Sequence, residues 1–163
     1  MYYNAILKND IANGDGIRVT LFVSGCSFHC PGCHNPQTHN PCSGKPFTEY
    51  EVNKIINALS NKYVSGITLS GGHPLEEYNV EECTKLCKTI KEKLPDKNIW
   101  LYSGFRYEQV ADYEIFKYVD VLVDGAYNEQ LKDRTLKWRG SSNQRVIDIN
   151  KTRLNKQLTL YCN

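Results

Sequence analysis

Three of the seven cysteines fall close together: Cys26, Cys30 and Cys33 form a C-x3-C-x2-C run. Thiolates are soft ligands suited to zinc and to iron–sulfur clusters. Structural zinc takes four ligands, usually as two pairs. A second pair is missing here, but His29, His34, His39 or Cys42 can complete the set, so zinc stays open. The other reading is a [4Fe–4S] cube in which each thiolate caps one iron. The fourth iron then has no protein ligand, and an open metal position is where a small molecule binds and reacts. The odd count and clustered spacing argue against a disulfide framework.

Other segments carry chemistry by type and place. Ser70-Gly71-Gly72-His73-Pro74 lays backbone bare for a polar ligand, and Pro74 biases His73 towards an extended conformation. Ser103-Gly104 and Asp124-Gly125 follow two further apolar runs. Cys83 and Cys87 fall on the apolar face of a helix and read as small core side chains. Cys42 reads as a spare surface thiol. No Ser-His-Asp or paired-carboxylate arrangement is evident, so hydrolysis is unsupported.

Strand–helix alternation must position these segments. Strands are expected at 17–23, 66–70, 99–103 and 119–123. Helices are expected at about 48–59, where Thr48 and Glu51 form a capping box, at 79–94 and at 107–117. Two short strands, near 145–149 and 157–161, close the chain. The pattern predicts an α/β fold with a mostly parallel sheet. In such sheets ligands sit at the carboxyl ends of the strands, where the cysteine loop and all three glycine turns fall.

The chain has 163 residues, enough for one domain over 1–163 but short of the about 250 of a complete eight-fold barrel. Twenty basic against 18 acidic residues, net +2, is too weak a bias to imply nucleic acid. No run approaches ~20 apolar residues, so no membrane span is expected. The first ten residues lack a basic region followed by an apolar core, so the expected location is cytoplasmic.

With these residues in view, the sequence resembles the radical S-adenosylmethionine superfamily and, within it, the activases of glycyl radical enzymes. The resemblance is carried by residues 13–23, by Gly25-Cys26 through Cys33-His34-Asn35, by 70–75, by Trp100-Leu101-Tyr102-Ser103-Gly104-Phe105, by 120–125 and by 136–145. It implies a partial β/α barrel and a [4Fe–4S] cluster on Cys26, Cys30 and Cys33. It also implies S-adenosylmethionine bound by Gly32, Cys33, His34, Gly71, Gly72, His73, Ser103 and Asp124. The implied activity is that of a radical oxidoreductase. An electron splits the cofactor to methionine and a 5′-deoxyadenosyl radical, which takes a hydrogen from a glycine of a partner protein. That partner is the large subunit of an anaerobic ribonucleoside-triphosphate reductase, with a flavodoxin-like one-electron donor. Other readings are activation of a different glycyl radical enzyme, or a zinc- or cluster-bearing module without turnover.

Two departures stand out. The glycine pair is usually followed by an acidic residue, where this chain has His73; His73→Glu is therefore expected to keep or improve cofactor affinity. An aromatic often precedes the third cysteine, where this chain has Gly32; adenine stacking is then expected from elsewhere, with Phe28 or His34 as candidates. Asp124 has two readings, a ribose contact or a loop cap. Arg139 and Arg145 have three: the cofactor carboxylate, the partner, or an internal acid.

Overall fold

A computed structural model describes residues 1–162. Its frame is one seven-stranded sheet in the order β3-β1-β2-β4-β5-β6-β7. The strands are β1 (Tyr2–Asp10), β2 (Ile17–Val23), β3 (Lys45–Pro46), β4 (Val64–Gly71), β5 (Asn98–Tyr102), β6 (Val121–Asp124) and β7 (Arg145–Asp148). The helices are α1 (Glu49–Leu59), α2 (Glu77–Lys93), α3 (Tyr107–Val110) and α4 (Ile149–Asn155). The four strands β2, β4, β5 and β6 are parallel neighbours. Both flanks are antiparallel: β1 against β2 and β3, and β7 against β6. The sheet is therefore mixed rather than mostly parallel. It does not close, with β3 and β7 as its edges.

Sheet faces follow the two-residue alternation of a strand. Val19, Leu21 and Val23 of β2, Ile67 and Leu69 of β4, and Ile99 and Leu101 of β5 point to one side. There they form the main core with Ile55 and Leu59 of α1 and with Cys83, Leu86, Cys87 and Ile90 of α2. Thr48 caps α1 with the expected capping box. The in-between residues face the other way. Trp100, Val121, Val123 and Val146 make a smaller core with Tyr102 and Trp138. Arg18 lies fully buried on this second face. Its guanidinium donates to Thr68 Oγ1 (2.7 Å), Ile67 O (2.6 Å) and Asn98 Oδ1 (2.7 Å), over the Trp100 ring. Burial pushes its pKa down to about 10.

Several elements differ from expectation. The 107–117 helix is one turn of α-helix, α3, and a separate 3-10 turn at Glu114–Lys117. Only Val110, Ile115 and Phe116 of that stretch are buried in these turns, too little apolar surface to hold one continuous helix. The last segment, 157–161, is reduced to an isolated bridge between Ile147 and Leu160, because α4 intervenes. β1 was not expected at all. It is an irregular strand with two breaks in register against β2. No helix among the described residues is long and apolar enough to cross a membrane.

Candidate functional site

A cleft opens where the parallel strands end. Cys26, Cys30 and Cys33 line it together with Phe28, His34, Gly71, Gly72, His73, Ser103 and Gly104. It encloses about 200 Å³, less than the ~300–1,000 Å³ usual for ligand pockets, so a nucleoside-sized occupant must extend onto its open side.

The cysteine loop leaves β2 through Ser24 and Gly25 and is pinned at its start. Ser24 donates to Tyr2 O (2.9 Å), Gly25 to Thr38 O (2.6 Å) and Cys26 to His39 O (3.2 Å), all from backbone N–H. A tight turn, Cys33 N–H to Cys30 O at 3.0 Å, sets the last two thiols on one bend. All three thiols are part-buried. The Asn35 N–H reaches Cys33 Sγ at 3.3 Å. Burial pushes the Cys26 thiol up, while the backbone N–H groups of Phe28 and His29 pull the other way. Such N–H donors tune a bound cluster. Three soft donors at one open cleft, two already carrying N–H partners, fit an iron–sulfur cluster. Among the described residues no three Cys, His, Asp or Glu side chains converge on the point a single ion would occupy. Thiolates that each cap a different iron need no such point.

The glycine pair lies against this loop. Gly72 N–H donates to Val23 O (2.8 Å) and His73 N–H to Gly25 O (2.7 Å). Gly71 has φ +100°, and a Cβ there would meet the Phe22 backbone at 2.7 Å. Only glycine fits that position. Asn79, fully buried at the start of α2, donates to Ser24 O (2.8 Å) and His73 O (3.1 Å) and so fastens both loops.

His73 does not present its ring to the cleft as a free ligand. The side chain is 2 % exposed, boxed by Phe28 (5.0 Å) and Phe105 (4.9 Å). Its Nδ1 meets Glu76 Oε1 at 3.2 Å and its Nε2 meets Ser103 Oγ at 2.9 Å. Burial lowers its pKa, and Glu76 offsets part of that. The expectation for His73→Glu is therefore reversed. A second carboxylate would stand against Glu76 in a buried site, where like charges repel strongly.

Two of the expected cofactor-binding residues, Asp124 and Gly32, lie outside the cleft lining. Asp124 is fully buried. It pairs with Arg145 Nε (2.9 Å) and Arg145 Nη2, and accepts from Tyr107 N–H (2.8 Å) at the start of α3. Arg145 also grips Glu108 at 2.8 Å, whose pKa is pulled to about 2 by that hydrogen bond. The loop-cap and internal-acid readings are the ones the geometry matches. Gly32 has φ +70°, and a Cβ there would meet Glu129 Oε1 at 2.6 Å, so it packs on the outer turn. Arg139 donates to Gln144 O (2.7 Å), an internal contact. Cys42 is exposed on a loop. Cys83 and Cys87 are buried in α2, where burial pushes Cys83 up to about 12 and Cys87 well above its usual range.

Sequence reasoning missed Asn13, Tyr127 and Gln144, which also line the cleft. Gln144 holds the 139–145 segment to the Asp124-Gly125 turn, donating to Gly125 O (3.0 Å) and accepting from Gly140 N–H (2.8 Å). Tyr127 tilts against His34, ring centroids 5.5 Å apart. Asn13 and Gln144 fall in the 13–23 and 136–145 segments that carry the resemblance, with no local spacing to mark them as cleft residues; Tyr127 lies outside both, and only the folded chain brings it in. Phe28 faces Gly104 closely enough that a Cβ there would meet its ring at 2.7 Å.

Comparison with known proteins adds an independent line. A family described as "4Fe-4S single cluster domain" matches residues 12–147. An anaerobic ribonucleoside-triphosphate reductase-activating protein of Enterobacteria phage T4 is 44% identical over 146 residues, covering 90% of this chain and 93% of that protein. Its namesake in Escherichia coli K12 is 44% identical over 150 residues, covering 90% and 97%. That of Vibrio cholerae is 39% identical over 148 residues, covering 88% and 96%.

Proposed function

Because the chain belongs to the family of anaerobic ribonucleoside-triphosphate reductase-activating proteins, we propose that it is a radical S-adenosylmethionine activase that places a glycyl radical on the large subunit of that reductase. The observation that carries this reading is the meeting of three part-buried thiols and a bare glycine pair at one open cleft. A protein without turnover needs no open flank beside its metal. When bound, the cluster and S-adenosylmethionine supply one-electron cleavage to methionine and a 5′-deoxyadenosyl radical able to take a hydrogen from a glycine Cα.

The chain's own residues then bind, orient and exclude water. Cys26, Cys30 and Cys33 hold the cluster. Gly71 and Gly72 offer backbone to the ammonium and carboxylate end of the cofactor. Phe28 and His34, both on the cleft wall, are the stacking candidates for the adenine. Ser103 turns its hydroxyl towards His73 and so shapes the wall rather than meeting the cofactor alone. Gly32 serves by shaping the outer turn of the cysteine loop. Asp124 serves by fixing the turn before Gly125. The shallow cleft is completed by the partner loop that carries the target glycine, since a radical reacts only within contact distance. A flavodoxin-like protein is the proposed electron donor, and residues 1–163 act as one domain.

The test is anaerobic reconstitution with iron and sulfide, then reduction in the presence of S-adenosylmethionine, with 5′-deoxyadenosine measured against Cys30→Ala. Product from the wild-type chain alone supports the reading. No product, with a single tightly held zinc, overturns it.

A further inference from the structure

Glu76 Oε1 accepts three hydrogen bonds: from Ser27 N–H (2.8 Å), Ser27 Oγ–H (2.7 Å) and His73 Nδ1–H (3.2 Å). Ser27 belongs to the cysteine loop, next to Cys26. His73 belongs to the glycine-pair loop. Glu76 itself sits at the start of α2, its carbonyl accepting Asn79 N–H and Val80 N–H. One carboxylate oxygen therefore ties together two of the loops that line the cleft and anchors them to a long helix.

The protons can be assigned along the chain of contacts. An ionised carboxylate only accepts. Burial works against the charge of Glu76, but the two Ser27 bonds and His73 outweigh it, so its pKa lies below the usual carboxylate range. His73 Nδ1 must then carry a proton. In the neutral ring Nε2 is bare, and it accepts from Ser103 Oγ–H at 2.9 Å. Ser103 Oγ in turn accepts Phe105 N–H at 3.0 Å. Every polar atom of the His73 ring has one partner, and each partner lies in a different loop around the cleft.

We propose that Glu76 is a positioning residue that acts with His73 as one brace, holding the cysteine loop and the glycine-pair loop at a fixed separation. Its role is to keep the thiols and the glycine backbone in register across the cleft, so that a cluster and its small-molecule ligand are gripped together. The inference deepens the proposed function and rests on it for the identity of what is gripped. The brace itself is a property of the metal-free chain.

Two readouts test it on the full chain. The first is hydrogen exchange at the Ser27 N–H of the metal-free protein. The second is the rate at which reconstituted protein loses iron to a chelator. Glu76→Ala is expected to speed both by about tenfold or more, as for loss of an outer-shell partner, with the central strands unchanged. Glu76→Gln keeps an accepting oxygen and is expected to lose roughly threefold or less. His73→Glu alone is expected to behave like Glu76→Ala. Wild-type exchange at Ser27 in Glu76→Ala would overturn the brace. A wild-type chain that takes up no iron–sulfur cluster would overturn the proposed function, and hydrogen exchange at Ser27 would then decide the brace by itself.

Discussion

The two faces of the sheet are built by alternate residues of the same strands, and they differ in kind. Towards α1 and α2 the strands offer Val19, Leu21, Ile67, Leu69, Ile99 and Leu101, all fully buried and apolar. Towards the other side they offer Arg18, Thr20, Thr68, Ser70, Trp100 and Tyr102. Two of these, Ser70 and Tyr102, line the cleft. One face is held by close packing, which needs no direction. The other combines a smaller apolar core with directed hydrogen bonds around Arg18, in which each polar group needs a named partner. The cysteines divide the same way. Cys83 and Cys87 sit fully buried in the packed core, and Cys26, Cys30 and Cys33 sit part-buried at the open edge. Burial inactivates a thiol, and part-exposure beside N–H donors leaves it able to take a metal. The lesson is that a cysteine count says little until each thiol is assigned to a face.

This contrast can be broken at several points. The largest effect is expected at the edge. Cys30→Ala should abolish cofactor cleavage, a loss of more than the about 10–100-fold of an outer-shell change, with little loss of thermal stability. Iron analysis and 5′-deoxyadenosine measurement check it. Next comes the packed face. Leu69→Ala should cost about 2–5 kcal/mol in denaturant unfolding, while the folded fraction keeps its cluster. If Leu69→Ala instead emptied the cluster without unfolding the chain, the two faces would not be separable.

Gly71→Ala lies between them. Its backbone geometry and the Phe22 contact should cost roughly 1–3 kcal/mol of stability and weaken S-adenosylmethionine binding, read by spectral titration. Cys87→Ala should be milder, about 1 kcal/mol, with four irons and normal turnover retained. The smallest effect is in pH. The pKa of His73 is lowered in the fold, so the unfolded chain binds its proton first. Stability from this group is full above about pH 6.5 and falls as pH drops below that value towards the folded pKa, by at most about 1.4 kcal/mol per pH unit. His73→Gln should flatten that slope in denaturation curves measured between pH 7 and 5.

Much of the frame was legible in the chain because its signals are local. The 17–23 run coincides with β2, and Thr48 with Glu51 marks the start of α1, since a capping box is complete within four residues. β4, β5 and β6 fall within two residues of their expected places. β1 was not legible. Its residues, Tyr2–Asp10, become a strand only by pairing with β2, and two register breaks blur their alternation. For the same reason the share of parallel pairing was overestimated, because both antiparallel flanks depend on pairings between distant or irregular segments. Asp124 shows the limit for sites. Its position at a strand end was readable, but its direction was set by Arg145 and Tyr107, 21 and 17 residues away.

The amino-acid order alone determined the thiol spacing, the bare glycine pair and the alternation that builds the sheet, because each is complete within a short stretch of chain. Tertiary structure decided where the Asp124 carboxylate turns. It also decided that Glu76, 49 residues from Ser27, closes on the cysteine loop. The physical reason is that hydrogen bonds and burial depend on distance in space. A buried polar group takes whichever partner the packed sheet and helices bring within about 3 Å, and no sequence spacing encodes that choice.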